Sequence, residues 1–162
     1  MVADKKHFWL KRVLFGILVS VVSIGLAQAG VKETQQTLYG RLGGLMPISV
    51  VVDDFLDAMV PDPFLNQNPE IAKARERVPR PYLKYRVTSF VCQAAGGPCQ
   101  YSGRSMKESH DHLNITEAEW DRMVVIFKEV MDEHQIPGPE QRDLLELIAT
   151  TRADIVTAET GE

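Results

Sequence analysis

The chain has 162 residues, 44% hydrophobic and 25% charged, with a formal net charge of −4. That balance excludes a disordered or fibrous polymer, and the length suits one domain with a short appendage. Residues 1–29 carry a net +3, so removing them from the total of −4 leaves −7. An acidic domain of that kind is no nucleic-acid binder, because binding a phosphate backbone calls for a basic face.

The N-terminus reads as a separate object. Lys5, Lys6, Lys11 and Arg12 precede Val13 to Leu26, an uncharged run of 14 residues, shorter than the roughly 20 that span a bilayer. Ala27-Gln28-Ala29 follows as a small-residue exit. The pattern predicts a secretory signal peptide over 1–29, a mature N-terminal extension over 30–36, and export, to the periplasm. The alternative is an uncleaved leader acting as a membrane anchor; after cleavage no membrane contact is expected. Cys92 and Cys99 both lie in the exported part. In an oxidising compartment two such neighbours pair, contributing on the order of 2–3 kcal/mol through the small loop they close.

The rest of the chain reads as helices punctuated by Gly and Pro. A short helix over Thr37 to Arg41 stops at Gly43-Gly44. The next runs from Met46 to Val60, with Pro47 in its first turn and Ile48, Val51, Val52, Phe55, Leu56 and Met59 on one face. Asp53, Asp54 and Asp57 take the other face. Asn68-Pro69 caps a charged helix through Arg77. Pro79 and Pro81 open a helix to Ala95 with the stripe Leu83, Val87, Phe90, Val91 and Ala94, ended by Gly96-Gly97-Pro98. Met106 to His112 forms a short helix. Thr116 and Glu119 have capping-box spacing ahead of a helix carrying Trp120, Met123, Val124, Phe127, Val130 and Met131. A single last helix, Glu140 to Val156, turns Leu144, Leu145, Ile148, Thr151 and Ile155 inward. The domain is therefore all-α over 37–156, with a tail at 157–162.

Three histidines remain after the leader: His110, His112 and His134. His110 and His112 point roughly 200° apart on a helix, so they do not share one metal. Cys92 lies opposite the Leu83–Val91 stripe, which disfavours a thiolate ligand, and Cys92, Cys99, His110 and His112 lack a zinc-site spacing.

The segment Gly96-Gly97-Pro98-Cys99-Gln100-Tyr101-Ser102-Gly103-Arg104 leading to Ser109-His110 resembles the stretch before the proximal histidine of group 1 truncated haemoglobins. Leu38-Tyr39-Gly40-Arg41-Leu42-Gly43-Gly44 and Val51-Val52-Asp53-Asp54-Phe55 resemble that family's first two helices, and the likeness spans residues 37–156. It implies a two-over-two helical sandwich around haem b. His110 would then be the iron ligand, with its other ring nitrogen donating to a main-chain carbonyl one turn earlier.

The same resemblance implies an apolar distal side, since Leu56 and Val87 stand where many relatives carry tyrosine and glutamine, and Leu83 matches the remaining distal position. Tyr82 and Tyr85 lie off the stripe, as surface residues or as gates. Tyr101, Arg104 and Lys107 would reach the haem propionates. Phe90, Val91, Met106, Trp120, Val124, Phe127, Leu144 and Ile148 would line the haem; the alternative for the last six is that they are plain core. The segment Phe64–Pro81 is longer than in relatives and lacks their phenylalanine pair, so Phe64 or Ile71 would stand in. The implied function is reversible binding of O2, NO or CO, served by a reductase or other electron donor. The alternatives are NO dioxygenation or weak peroxidase activity, or a haem-free helical interaction module that has kept the fold.

Overall fold

The computed structural model describes residues 37–158. The leader and extension read at 1–36, and the tail from 159 onward, lie outside the described residues. Eight α-helices follow one another among those described: α1 Leu38–Arg41, α2 Leu45–Met59, α3 Pro69–Arg77, α4 Arg80–Ala94, α5 Met106–His110, α6 Glu117–Glu133, α7 Gly138–Ala149 and α8 Arg152–Ile155. Short 3-10 turns at Leu65–Gln67 and Asp111–Leu113 link the smaller pieces.

Two layers build the core. Helix α2 packs against α4 on one side and α6 on the other, while α7 joins α6 and α1. The buried cluster draws Ile48, Val52, Phe55 and Leu56 from α2, Ile126, Phe127, Val130 and Met131 from α6, and Leu144 from α7. The Phe55 and Phe127 rings meet edge to face at 5.1 Å. Met131 and Leu56 are 0% and 2% exposed, and burial on that scale stabilises by about 1.5–3 kcal/mol for each such side chain.

The two diglycines do more than end helices. Gly43 and Gly44 have φ of +85° and +90°, a region that L side chains avoid, and they let Tyr39 fold over to accept a hydrogen bond from Leu45 N–H through its hydroxyl. On the other side, a Cβ at Gly97 would lie 2.4 Å from the Tyr39 ring and 2.7 Å from the Cys92 carbonyl oxygen. Tyr39 N–H donates to the Ala95 carbonyl at 2.8 Å. Both diglycines thus bracket one tyrosine, which joins the start of the domain to the end of α4.

Polar ties fasten residues 62–78 to the rest of the fold. The Asp62 carboxylate accepts from the Phe64 and Leu65 N–H groups at 3.0 Å each and from Arg122 Nη2 at 2.8 Å. Asn68 caps α3, its Oδ1 accepting from Glu70 and Ile71 N–H. The single helix expected over Glu140 to Val156 is instead divided into α7 and α8. Thr150 and Thr151 explain the break: their hydroxyls donate to the Leu147 and Ile148 carbonyls at 2.6 and 2.7 Å. Such side-chain bonds compete with the helical ladder. Beyond α8 the backbone turns back, and Thr157 and Ala158 N–H donate to the Ile115 carbonyl.

Candidate haem site

The Cys92–Cys99 disulfide starts the arrangement by fastening the end of α4 to the loop that leads to α5. Tyr101 continues it. Its N–H donates to Gln93 Oε1 at 2.7 Å, its ring meets Phe90 edge-on at 5.6 Å, and its hydroxyl donates to the Arg104 carbonyl at 2.8 Å. A Cβ at Gly103 would fall 2.3 Å from the Tyr101 ring, so the glycine is the floor on which that ring lies. Ser105 then starts α5 with a reciprocal capping box to Glu108. The Ser105-x-x-Glu108 spacing was open to reading in the sequence and went unread.

His110 closes α5. Its Nδ1 lies 2.8 Å from the Met106 carbonyl oxygen, one turn earlier. A carbonyl only accepts, so Nδ1 carries the proton and Nε2 presents its lone pair. Burial pushes the imidazole pKa down, and the Met106 carbonyl only partly opposes this. The ring is therefore neutral near pH 7, the form that binds a metal. Among the described residues nothing hydrogen-bonds Nε2. His112 is exposed on the 3-10 turn that follows, and His134 Nε2 lies 2.8 Å from Asp54 on α2.

The remaining residues fall into two groups. Leu83, Val87, Val91 and Ile148 are partly buried and pack on the core that contains Leu56, Phe127 and Leu144. Phe90, Met106 and Val124 are also half-buried, while Trp120 is 5% exposed outside that cluster. Val91, Phe127 and Leu144 line an apolar cavity of about 350 Å3, together with Val51, Ile136 and Pro137 but without His110. Val91 lies eight residues beyond Leu83, about 12 Å along α4. Of the stripe, Val91 lines this cavity and Leu83 and Val87 do not.

A sequence profile of the bacterial-like globin family matches residues 37–157. The chain is a bacterial-like globin. It is 25% identical over 131 residues to the group 1 truncated hemoglobin GlbN of Mycolicibacterium paratuberculosis, covering 81% of this chain and 92% of that one. It is 27% identical over 120 residues to the GlbN of Nostoc commune, covering 74% and 97%. Its fold matches truncated hemoglobin from Tetrahymena pyriformis with a TM-score of 0.65 and 21% identity, over 75% of this chain and 98% of that one. The 2/2 hemoglobin of a Synechococcus species, solved with covalently attached heme, gives 0.64 and 19%, over 74% and 98%.

The globin's cofactor is haem, and the side chains present fit it. His110 would hold it through a neutral ring nitrogen with its lone pair unengaged. Arg86 on α4 offers a cation: its Nη1 donates to Ser102 at 3.1 Å, while its Nε is buried with no partner among the described residues. An orphaned guanidinium N–H beside the loop before His110 suits a carboxylate such as a propionate. Arg86 was missed in the sequence because only the folded loop brings Ser102 beside it. Of the three residues expected at the propionates, Tyr101 has committed its only proton to the Arg104 carbonyl, and Lys107 is exposed and paired with Asp111 at 2.8 Å. Arg104 is exposed. Tyr82 and Tyr85 are exposed, with the Arg86 guanidinium 4.9 and 5.7 Å from their ring centres. Phe64 is 41% exposed, so it is no buried wall.

Proposed function

We propose that this globin binds haem b through His110 Nε2 and holds a diatomic ligand, O2 first among them, reversibly on its distal side. Haem, when bound, supplies the iron on which such a ligand is held. The protein's part is to orient and to exclude water. The Met106 carbonyl fixes the His110 tautomer, the capping box holds α5, and Leu56, Leu83 and Val87 offer hydrocarbon to the opposite side. The observation that carries the reading is the His110 ring, pinned at Nδ1 and neutral, with Nε2 unengaged. Oxygen activation profits from donors that polarise the bound ligand. The three distal side chains have none, and this favours a ligand carrier over an NO dioxygenase or a peroxidase.

Export is part of the same proposal. The basic, apolar and small-residue order of residues 1–29 supports a signal peptide, and the Cys92–Cys99 disulfide supports an oxidising compartment. An electron donor must return ferric iron to the ferrous state. The test is a spectrum of the haem-loaded, reduced protein with CO and then O2. A sharp Soret band shifted by CO, and an O2 form that reverts on degassing, are expected. A reduced protein whose spectrum ignores both gases would overturn the proposal.

A further inference from the structure

The charges of this domain are unevenly placed. Residues 73–86 hold six Lys and Arg against one carboxylate, whereas the other described residues hold seven against seventeen. That basic stretch is the corner between α3 and α4. Its arginines are held in place: Arg75 Nη1 donates to the Val60 carbonyl at 2.8 Å and Arg77 Nε to the Lys73 carbonyl at 3.2 Å. Neither bond neutralises the charge. By contrast, Lys73 is paired with Glu70, Arg80 with Asp57, and Lys84 with Asp53 and Asp57. Among these cations lie exposed apolar and aromatic groups, Val78 at 36%, Tyr82 at 51% and Tyr85 at 60%. Arg and Tyr together on an exposed surface are the composition of an interface centre.

We infer that the α3–α4 corner, centred on Arg75, Arg77, Tyr82 and Tyr85, is the docking surface for an acidic electron-donor protein. The inference rests on the haem reading above. Among the described residues positive charge is in excess along this stretch and negative charge in the rest, so the field of the domain orients the encounter with a negatively charged partner as well as hastening it. Held arginines lose little freedom on binding. The placement also suits electron transfer. Tyr82 and Tyr85 lie exposed on α4 with the Arg86 guanidinium 4.9 and 5.7 Å from their ring centres, so a donor docked on them would stand beside the cation suited to a haem propionate. In the transfer the donor loses one electron and the ferric iron gains it; no bond is made or broken. An anionic membrane would also seek positive charge, but it is a flat sheet of charge and gives Tyr82 and Tyr85 no shaped pocket.

The test uses flavodoxin, an acidic one-electron donor, as the probe. Its binding to the exported domain is followed by fluorescence anisotropy, with and without haem, at low and at physiological salt. Arg75→Gln with Arg77→Gln should weaken binding roughly tenfold and flatten its salt dependence. Arg142→Gln, on α7, should leave both unchanged. The rate of haem reduction by flavodoxin hydroquinone should fall in step, while the rate with dithionite should not. Arg77→Gln alone, which loses only a bond within its own helix, keeps the test valid if the double variant misfolds. Equal loss in the Arg142 control, no loss in the arginine variants, or arginine-dependent binding to phosphatidylserine vesicles without binding to flavodoxin would overturn the inference. A protein that takes up no haem yet binds flavodoxin through these arginines would refute the haem reading and leave the docking surface standing.

Discussion

The two sides of the haem site are built by different forces. On the His110 side, residues 92–119 are set by directional contacts: a disulfide, the Tyr101 bonds, the Ser105–Glu108 box, the Met106 carbonyl, and the Thr116–Glu119 box. Asn68 adds a tie from α3, its Nδ2 donating to the Leu113 carbonyl at 2.9 Å and to Glu119 at 3.3 Å. On the side proposed for the gas ligand, Leu56, Leu83 and Val87 are held by packing alone. Directional bonds fix the position of one atom, which a metal ligand requires. Packing fixes only a volume, which suffices for a small apolar gas.

That contrast is broken most sharply by adding polarity to the apolar side. Val87 is half-buried while Leu56 is 2% exposed in the core. Val87→Gln should therefore slow O2 release by roughly ten- to a hundredfold, the worth of one hydrogen bond to a charged group, with little loss of stability. Leu56→Tyr should instead overpack the core and cost about 1–3 kcal/mol. Stopped-flow dissociation and urea denaturation of both variants separate these outcomes.

The other side is probed by removing its ties. Replacing Cys92 and Cys99 by serine should cost about 2.5 kcal/mol, the chain-entropy value for so short a loop, and should broaden the environment of His110 in the NMR spectrum. Asn68→Ala loses a helix cap and the donor to Leu113, costing about 1–2 kcal/mol in denaturant; Asn68→Asp keeps the cap but sets a carboxylate beside Glu119, and it should recover only part of that.

The smallest effect is a pH dependence. Burial raises the Asp62 carboxyl pKa, but the Arg122 guanidinium and the Leu65 and Phe64 N–H groups outweigh it and hold the value below the ordinary 3.8. Burial and these partners act in opposite directions, so the effect is modest. A depressed carboxylate contributes stability that is full above the ordinary value and is lost as pH falls through the folded one. The stability gap between the wild type and Asp62→Asn should thus be constant from pH 7 to 5 and shrink below 4; a gap unchanged at pH 3 would remove Asp62 from the account.

Much of the fold was legible because helix signals are local. The Asn68 and Thr116 caps and the glycine and proline stops each act within a few residues. The α7–α8 break was not read, because Leu144, Ile148, Thr151 and Ile155 keep one apolar period across it while the threonine hydroxyls interrupt the ladder. The tie of the His110 ring to a main-chain carbonyl one turn earlier was legible through the motif before it. Arg86, the Tyr39 bracket and the Asn68 tie were not, since each joins residues that are distant in the chain and meet only after folding.

The central claim is that His110, and not His112 or His134, carries the haem. It is tested by titrating haem into the wild type and the three single His→Ala variants, following the Soret band and the low-frequency Raman line of the iron–histidine bond in the reduced form. The account predicts that only His110→Ala loses that line, and that added imidazole restores a five-coordinate spectrum. Retention of the line in His110→Ala, or its loss in His112→Ala, would contradict it.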